Sequence, residues 1–219
     1  MKLFKRKAFT MAELLIVMGL IGVVAALTIP NLKDNADSHV NVAKAKKVYS
    51  EISGAFDRYT LKAKARPSDW TADFAMSGIN NNVKVKGTGV DYWYQKGNEE
   101  SPNACAEVAT ALEDGSTYCI VPYVDGEVVS TSCLDVLFDI DGPKKGFNEV
   151  GYDVFYASIR VPAVDSPEMV AWTCSDTGTF DTTIQPSSTN YLNWVVLYDN
   201  LDYRKCANTL YYQNVTSCN

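Results

Sequence analysis

Residues 9–30 read FTMAELLIVMGLIGVVAALTIP, an apolar run between a basic cluster and a proline. A helix of about 20 such residues, rising 1.5 Å per residue, spans the roughly 30 Å hydrocarbon core of a bilayer. Lys2, Lys5, Arg6 and Lys7 stand before the run, so the positive-inside tendency keeps the N-terminus in the cytoplasm and sends the remainder across the membrane. A secretory signal peptide has the same two parts. Two features oppose that alternative. The end of the run, ALTIP, is a poor match to the small-residue site that signal cleavage needs. Glu13 also stands near its start, where a carboxylate in the bilayer costs about 2.5 to 3.5 kcal/mol on insertion scales, and an intramembrane carboxylate points to a function.

The rest of the chain reads as one folded unit. With 219 residues, 47% of them apolar, it can bury one sizeable core. The formal charge is −6, and the four basic residues of the leader leave about −10 on everything after them. A body so acidic does not attract nucleic acid non-specifically, and no nucleic-acid partner is expected. All six cysteines (Cys105, Cys119, Cys133, Cys174, Cys206 and Cys218) lie beyond residue 104, without a C-x-x-C pair and with a single histidine in the chain. That pattern fits disulfides in an oxidising compartment better than zinc.

After Pro30 the positions Leu32, Ala36, Val40, Ala43, Val48, Ile52, Phe56, Tyr59 and Ala63 recur at three- to five-residue steps, which predicts an amphipathic helix. Joined to the membrane half it makes a helix of about 80 Å, broken or bent near Pro30. Gly22 and Pro30 are the expected points of unwinding, since Gly allows close approach and Pro cannot donate a helical hydrogen bond. Lys44, Lys46 and Lys47 form either a solvated face or a contact with acidic neighbouring subunits.

Beyond residue 66 the pattern changes to a β-rich head, residues 67–219, opening with a Gly- and Asn-rich loop region bearing short strands. A short helix is expected from Asn103 to Leu112. Strands are expected over Thr117 to Val124, Cys133 to Ile140 and Tyr152 to Ile159, with Asp125-Gly126 as a hairpin turn. Val170 to Thr173 and Tyr191 to Tyr198 are further strand candidates. The fold class is therefore α+β: a long N-terminal helix, its first half in the membrane, with a disulfide-bearing antiparallel sheet packed on its second half. Six cysteines permit 15 connectivities; Cys119 and Cys133 flank the expected hairpin and are placed to face each other. In the segment after the second strand, Asp139, Asp141, Asn148, Glu149 and Asp153 are either calcium ligands or turn residues that satisfy local backbone groups. The EF-hand spacing is absent, because the twelfth residue from Asp139 is Val150.

The string KRKAFTMAELLIVMGLIGVVAALTIPNL resembles the N-terminal cleavage and methylation motif of type IV pilin-like proteins, the family that includes the type II secretion pseudopilins. The resemblance implies a leader of residues 1–8, cut between Ala8 and Phe9 by a prepilin peptidase that then N-methylates Phe9. Residues 9–30 become the membrane and polymerisation half of the stalk, and 31–66 its amphipathic half. Glu13 is then the fifth mature residue and Pro30 the twenty-second. Ala8 stands where the family usually has Gly, Met11 where it has Leu, and Ala12 where it has a larger apolar residue. Glu13 is implied to pair with the terminal ammonium of Phe9 in a neighbouring subunit. A buried carboxylate and a buried ammonium offset much of each other's desolvation and set an axial register that a greasy helix lacks. The alternative for Glu13 is a helix N-terminal carboxylate stabilised by the dipole.

The resemblance further implies a sheet lying on the stalk helix and a Cys206–Cys218 loop closing the C-terminus. It implies pilin-like subunits of the same and other kinds, the peptidase and an inner-membrane assembly platform as partners, and an inner-membrane location with a periplasmic head. The segment from Phe138 to Asp153 is similar in part to a strand-connecting segment of pseudopilin heads, which favours the secretion system over a type IV pilus or a competence pseudopilus. No catalytic group is expected: His39, the only histidine, is remote in sequence from any triad partner. The competing class is a membrane-anchored monomeric adhesin or binding module, suggested by the aromatic tail of Tyr191, Trp194, Tyr198, Tyr203, Tyr211 and Tyr212.

Overall fold

Helix α1, Met11–Ala63, opens the computed structural model, which describes residues 10–65, 69–90, 105, 108–125, 128–143, 145, 148–161, 167–174, 186–187, 189–212 and 214–218. After it come α2 (Ala72–Asn80), β1 (Val85–Val90), β2 (Ala109–Leu112), β3 (Thr117–Asp125), β4 (Val128–Asp139), β5 (Val154–Arg160), β6 (Glu168–Val170), α3 (Tyr191–Tyr198) and α4 (Tyr203–Cys206). The chain divides into two units, residues 1–39 and 40–219. The first contains the span Met11–Ile29, of mean hydropathy 2.4, which is long and apolar enough to cross a membrane. The helical backbone continues through Gly22 and Pro30, so the break expected near Pro30 is not seen.

In the second unit all six strands form one antiparallel sheet in chain order, β1 to β6. Each strand pairs with its sequence neighbour, the simplest way to satisfy backbone groups with short connections. Asp125 pairs with Val128 at the end of the β3–β4 hairpin; Gly126 of the expected turn lies outside the described residues. Strands β3, β4 and β5 supply the buried Tyr118, Ile120, Val136, Phe138, Phe155, Ala157 and Ile159. On α1 the buried residues are Val42, Ala45, Val48, Ile52, Ala55 and Phe56, and they belong to the same buried cluster. Each such large side chain contributes about 1.5 to 3 kcal/mol by leaving water.

The stripe differs from its expected start. Val40 and Ala43 are exposed, and Val42 and Ala45 take their place. Helical phase explains it: Ala43 and Ile52 are nine residues apart, two and a half turns, and so face opposite ways. Lys46 and Lys47 stay partly solvated, with side chains 38% and 59% exposed, and each also meets a carboxylate. Lys46 pairs with Asp199 at 3.0 Å and Lys47 with Asp114 at 2.7 Å.

Three further expectations fail. The Gly- and Asn-rich region begins with helix α2, whose N-cap Thr71 accepts a 3.2 Å hydrogen bond from the Phe74 amide. Gly78 is no loop marker there: a Cβ on it would collide with the Tyr59 ring. The helix expected up to Leu112 is replaced over its described end by β2, because Val85↔Leu112 and Thr110↔Tyr118 pairing captures that segment from both sides. Tyr191–Tyr198 is a helix rather than a strand; a short apolar run does not distinguish the two by period. It stops where Asp199 turns left-handed at φ 61°.

The disulfides are Cys105–Cys119, Cys133–Cys174 and Cys206–Cys218, with Cα separations of 5.7, 5.9 and 6.0 Å. The C-terminal pair is the one implied by the family resemblance. A Cys119–Cys133 bridge is excluded by register, since Cys119 stands opposite Leu137, four residues along β4 from Cys133.

Candidate functional site

Two places carry unusual chemistry, one in each unit. In the first, Ala8 and Phe9 lie outside the described residues. Glu13 forms a capping box with Thr10. The Thr10 hydroxyl accepts from the Glu13 amide at 3.2 Å, while Glu13 Oε2 accepts from the Thr10 amide and hydroxyl, both at 2.9 Å. These bonds satisfy backbone donors that a helix start leaves open. Thr10-Met11-Ala12-Glu13 has the S/T-x-x-E spacing, so the signal was present in the sequence. Beyond it Leu15, Ile16, Leu20, Val23, Leu27 and Ile29 are exposed, and a Cβ on Gly19 or Gly22 would touch nothing. A contiguous apolar surface of this kind calls for lipid or protein cover.

In the second unit the loop from Ile140 to Asp153 leaves β4 and returns to β5, with Asp139 and Val154 paired at its base. Its turns use left-handed backbone at Gly142 (φ 91°), Asn148 (φ 47°) and Gly151 (φ 81°). Asp139 Oδ1 accepts from the Asp141 and Gly142 amides at 3.0 and 2.8 Å. Both carboxylate oxygens of Asp153 are likewise taken, by the Asn148 and Glu149 amides. Glu149 pairs with Arg204 at 3.3 Å, and that guanidinium lies 3.9 Å over the Tyr152 ring. Tyr203 donates to the Gly151 carbonyl at 2.6 Å and stacks on Tyr191 at 4.1 Å. Of the five expected calcium ligands, the structure therefore commits Asp153 to turn chemistry and Glu149 to an ion pair. Among the described residues no group of three or more His, Cys, Asp or Glu side chains gathers as a metal cluster. Burial pushes the Asp139 carboxyl up to about 8.

Asp141 and Lys145 border two cavities. The larger, about 540 Å³, is also lined by Lys86, Leu112 and Thr117; the smaller, about 160 Å³, by Lys44, Lys47 and Asp114. Of the aromatic tail, Trp194, Tyr203 and Tyr212 are buried, Tyr191 and Tyr198 half-buried and Tyr211 exposed. The clamp of Tyr203 and Arg204 on this loop was not foreseeable, because their partners lie over 50 residues away in sequence. Comparison with family models, with curated proteins and with solved structures found no match to this chain.

Proposed function

We propose that this chain is a structural subunit of a pilin-like filament, a type IV pilus or a type II secretion pseudopilus, with the secretion type favoured by the partial Phe138–Asp153 motif. The observation that carries the proposal is the exposed apolar helix Met11–Ile29 with one carboxylate, Glu13, at its start. In this reading a peptidase removes residues 1–8 and methylates Phe9, whose charge survives methylation. Before assembly the helix sits in the inner membrane with the head in the periplasm. In the filament the apolar faces of neighbouring helices cover one another, and Glu13 of one subunit meets the Phe9 ammonium of the next. The sheet rests on the second half of α1, an arrangement supported by the shared buried cluster and by the Lys46 and Lys47 ion pairs.

The capping box and the intersubunit pair are compatible, since Glu13 Oε2 serves Thr10 and Oε1 is not engaged by any described residue. The test is Glu13→Ala in cells, read by shearing filaments and cross-linking subunits. Incorporation is expected to fall at least tenfold while the membrane-bound precursor accumulates normally. Normal incorporation would rule out the register mechanism.

A further inference from the structure

The C-terminal loop carries a motif that the filament reading does not use. Asn214-Val215-Thr216 is the one Asn-x-Ser/Thr triplet in the chain, the acceptor pattern for N-linked glycosylation. Asn214 is exposed, and among the described residues nothing hydrogen-bonds its side-chain amide or the Thr216 hydroxyl.

The backbone around Asn214 is a tight turn. The Tyr211 amide donates to the Val215 carbonyl at 3.0 Å, and the Tyr211 carbonyl accepts from the Asn214 and Val215 amides, both at 3.2 Å. The turn is pinned by the Cys206–Cys218 disulfide and by Asn200, whose Nδ2 donates to the Thr216 carbonyl at 2.9 Å. Held this way, the turn presents the Asn214 amide to a transferase without unfolding the head. Tyr211 and Val215, bridged across the turn, are 37% and 40% exposed. A pyranose ring has an apolar C–H face that stacks on an aromatic ring, and covering Tyr211 removes apolar area from water.

We propose that Asn214 is N-glycosylated and that its first sugar lies over Tyr211, at the other end of the turn. The donor class is a saccharide carried on a polyprenyl diphosphate. The Asn214 amide nitrogen bonds to the anomeric carbon of the sugar, and the bond from that carbon to the diphosphate oxygen breaks. The lipid diphosphate leaves and the amide gives up one proton. The site needs only a head outside the cytoplasm, and in that alone it rests on the proposed function; three disulfides support that location independently.

The experiment uses full-length protein purified from its own membrane, reduced and cut with trypsin. The C-terminal peptide beginning at Cys206 should carry a saccharide mass, which Asn214→Gln and Thr216→Val each abolish; if one variant does not fold, the other decides. In thermal melts of the full chain in micelles, wild type should unfold a few degrees above Asn214→Gln. Tyr211→Ala should show no such difference from the Tyr211→Ala/Asn214→Gln double variant. An unmodified peptide from wild type would overturn the site. So would a saccharide mass that survives in Asn214→Gln, because the sugar would then sit on a hydroxyl. An equal melting difference in the Tyr211→Ala pair would overturn the stacking. The N-terminal peptide of the same digest reports processing at Phe9 separately, so the filament reading and the glycosylation site can each fail alone.

Discussion

One helix contains both extremes of this molecule. From Met11 to Ile29 its large apolar side chains are exposed almost without exception, whereas from Val42 to Phe56 the apolar residues at three- and four-residue spacing are buried. Backbone geometry does not separate the two stretches; what the side chains have for neighbours does. The second stretch has its partners within the same chain. The first lacks them among the described residues, and an apolar surface of that extent calls for cover.

The comparison is broken most directly by truncating one residue on each side. Phe56→Ala, in the buried stretch, should lower head stability by about 3 to 5 kcal/mol, while Leu20→Ala should change it by less than about 0.5 kcal/mol. Denaturant unfolding of both variants in micelles checks this, and a large loss from Leu20→Ala would mean that the segment has protein partners within the chain. Disulfides rank next. Losing Cys133–Cys174, which spans 41 residues, should cost about 4 kcal/mol, and losing Cys206–Cys218, which spans 12, about 3 kcal/mol. Double-alanine variants compared by thermal melting give the order.

How far the sequence foretold these regions follows the same contrast. The apolar helix and the β3, β4 and β5 strands rest on local signals: length and alternation. The errors fall where distant contacts overrule local preference. Ala109–Leu112 has helix-forming alanine and leucine but becomes a strand through β1 and β3. Gly78 and Asn80 look like loop residues yet sit in a helix that Tyr59 packs against. In the loop after β4 the acidic residues were visible, but which oxygens the backbone amides consume was not, because that depends on the left-handed turns at Gly142 and Asn148.

Smaller effects sharpen the contrast at its two helix surfaces. Thr10→Ala removes the capping box and should cost about 1 kcal/mol locally, seen as faster amide exchange in the first turn of α1 with no change in head melting. The Lys47–Asp114 pair gives the smallest signal, at most about 1 kcal/mol because solvent screens it. Partial burial raises the Asp114 carboxyl, but hydrogen bonds from Lys47 and Ser116 outweigh it, and the net shift is downward. A depressed carboxylate contributes stability above its unfolded value of about 3.9 and loses it as pH falls through the folded value. The advantage of wild type over Lys47→Met should therefore be full at neutral pH and be lost as pH falls below the unfolded value. An advantage that persists there would assign it to packing of the lysine stem.

The central claim, that the exposed apolar helix belongs to a processed filament subunit, is tested most directly by the intact mass of the protein purified from its own membrane. The account predicts a chain beginning at Phe9 and carrying one added methyl group, with all six cysteines oxidised. A chain that retains Met1, or one that begins after the apolar run, would contradict it.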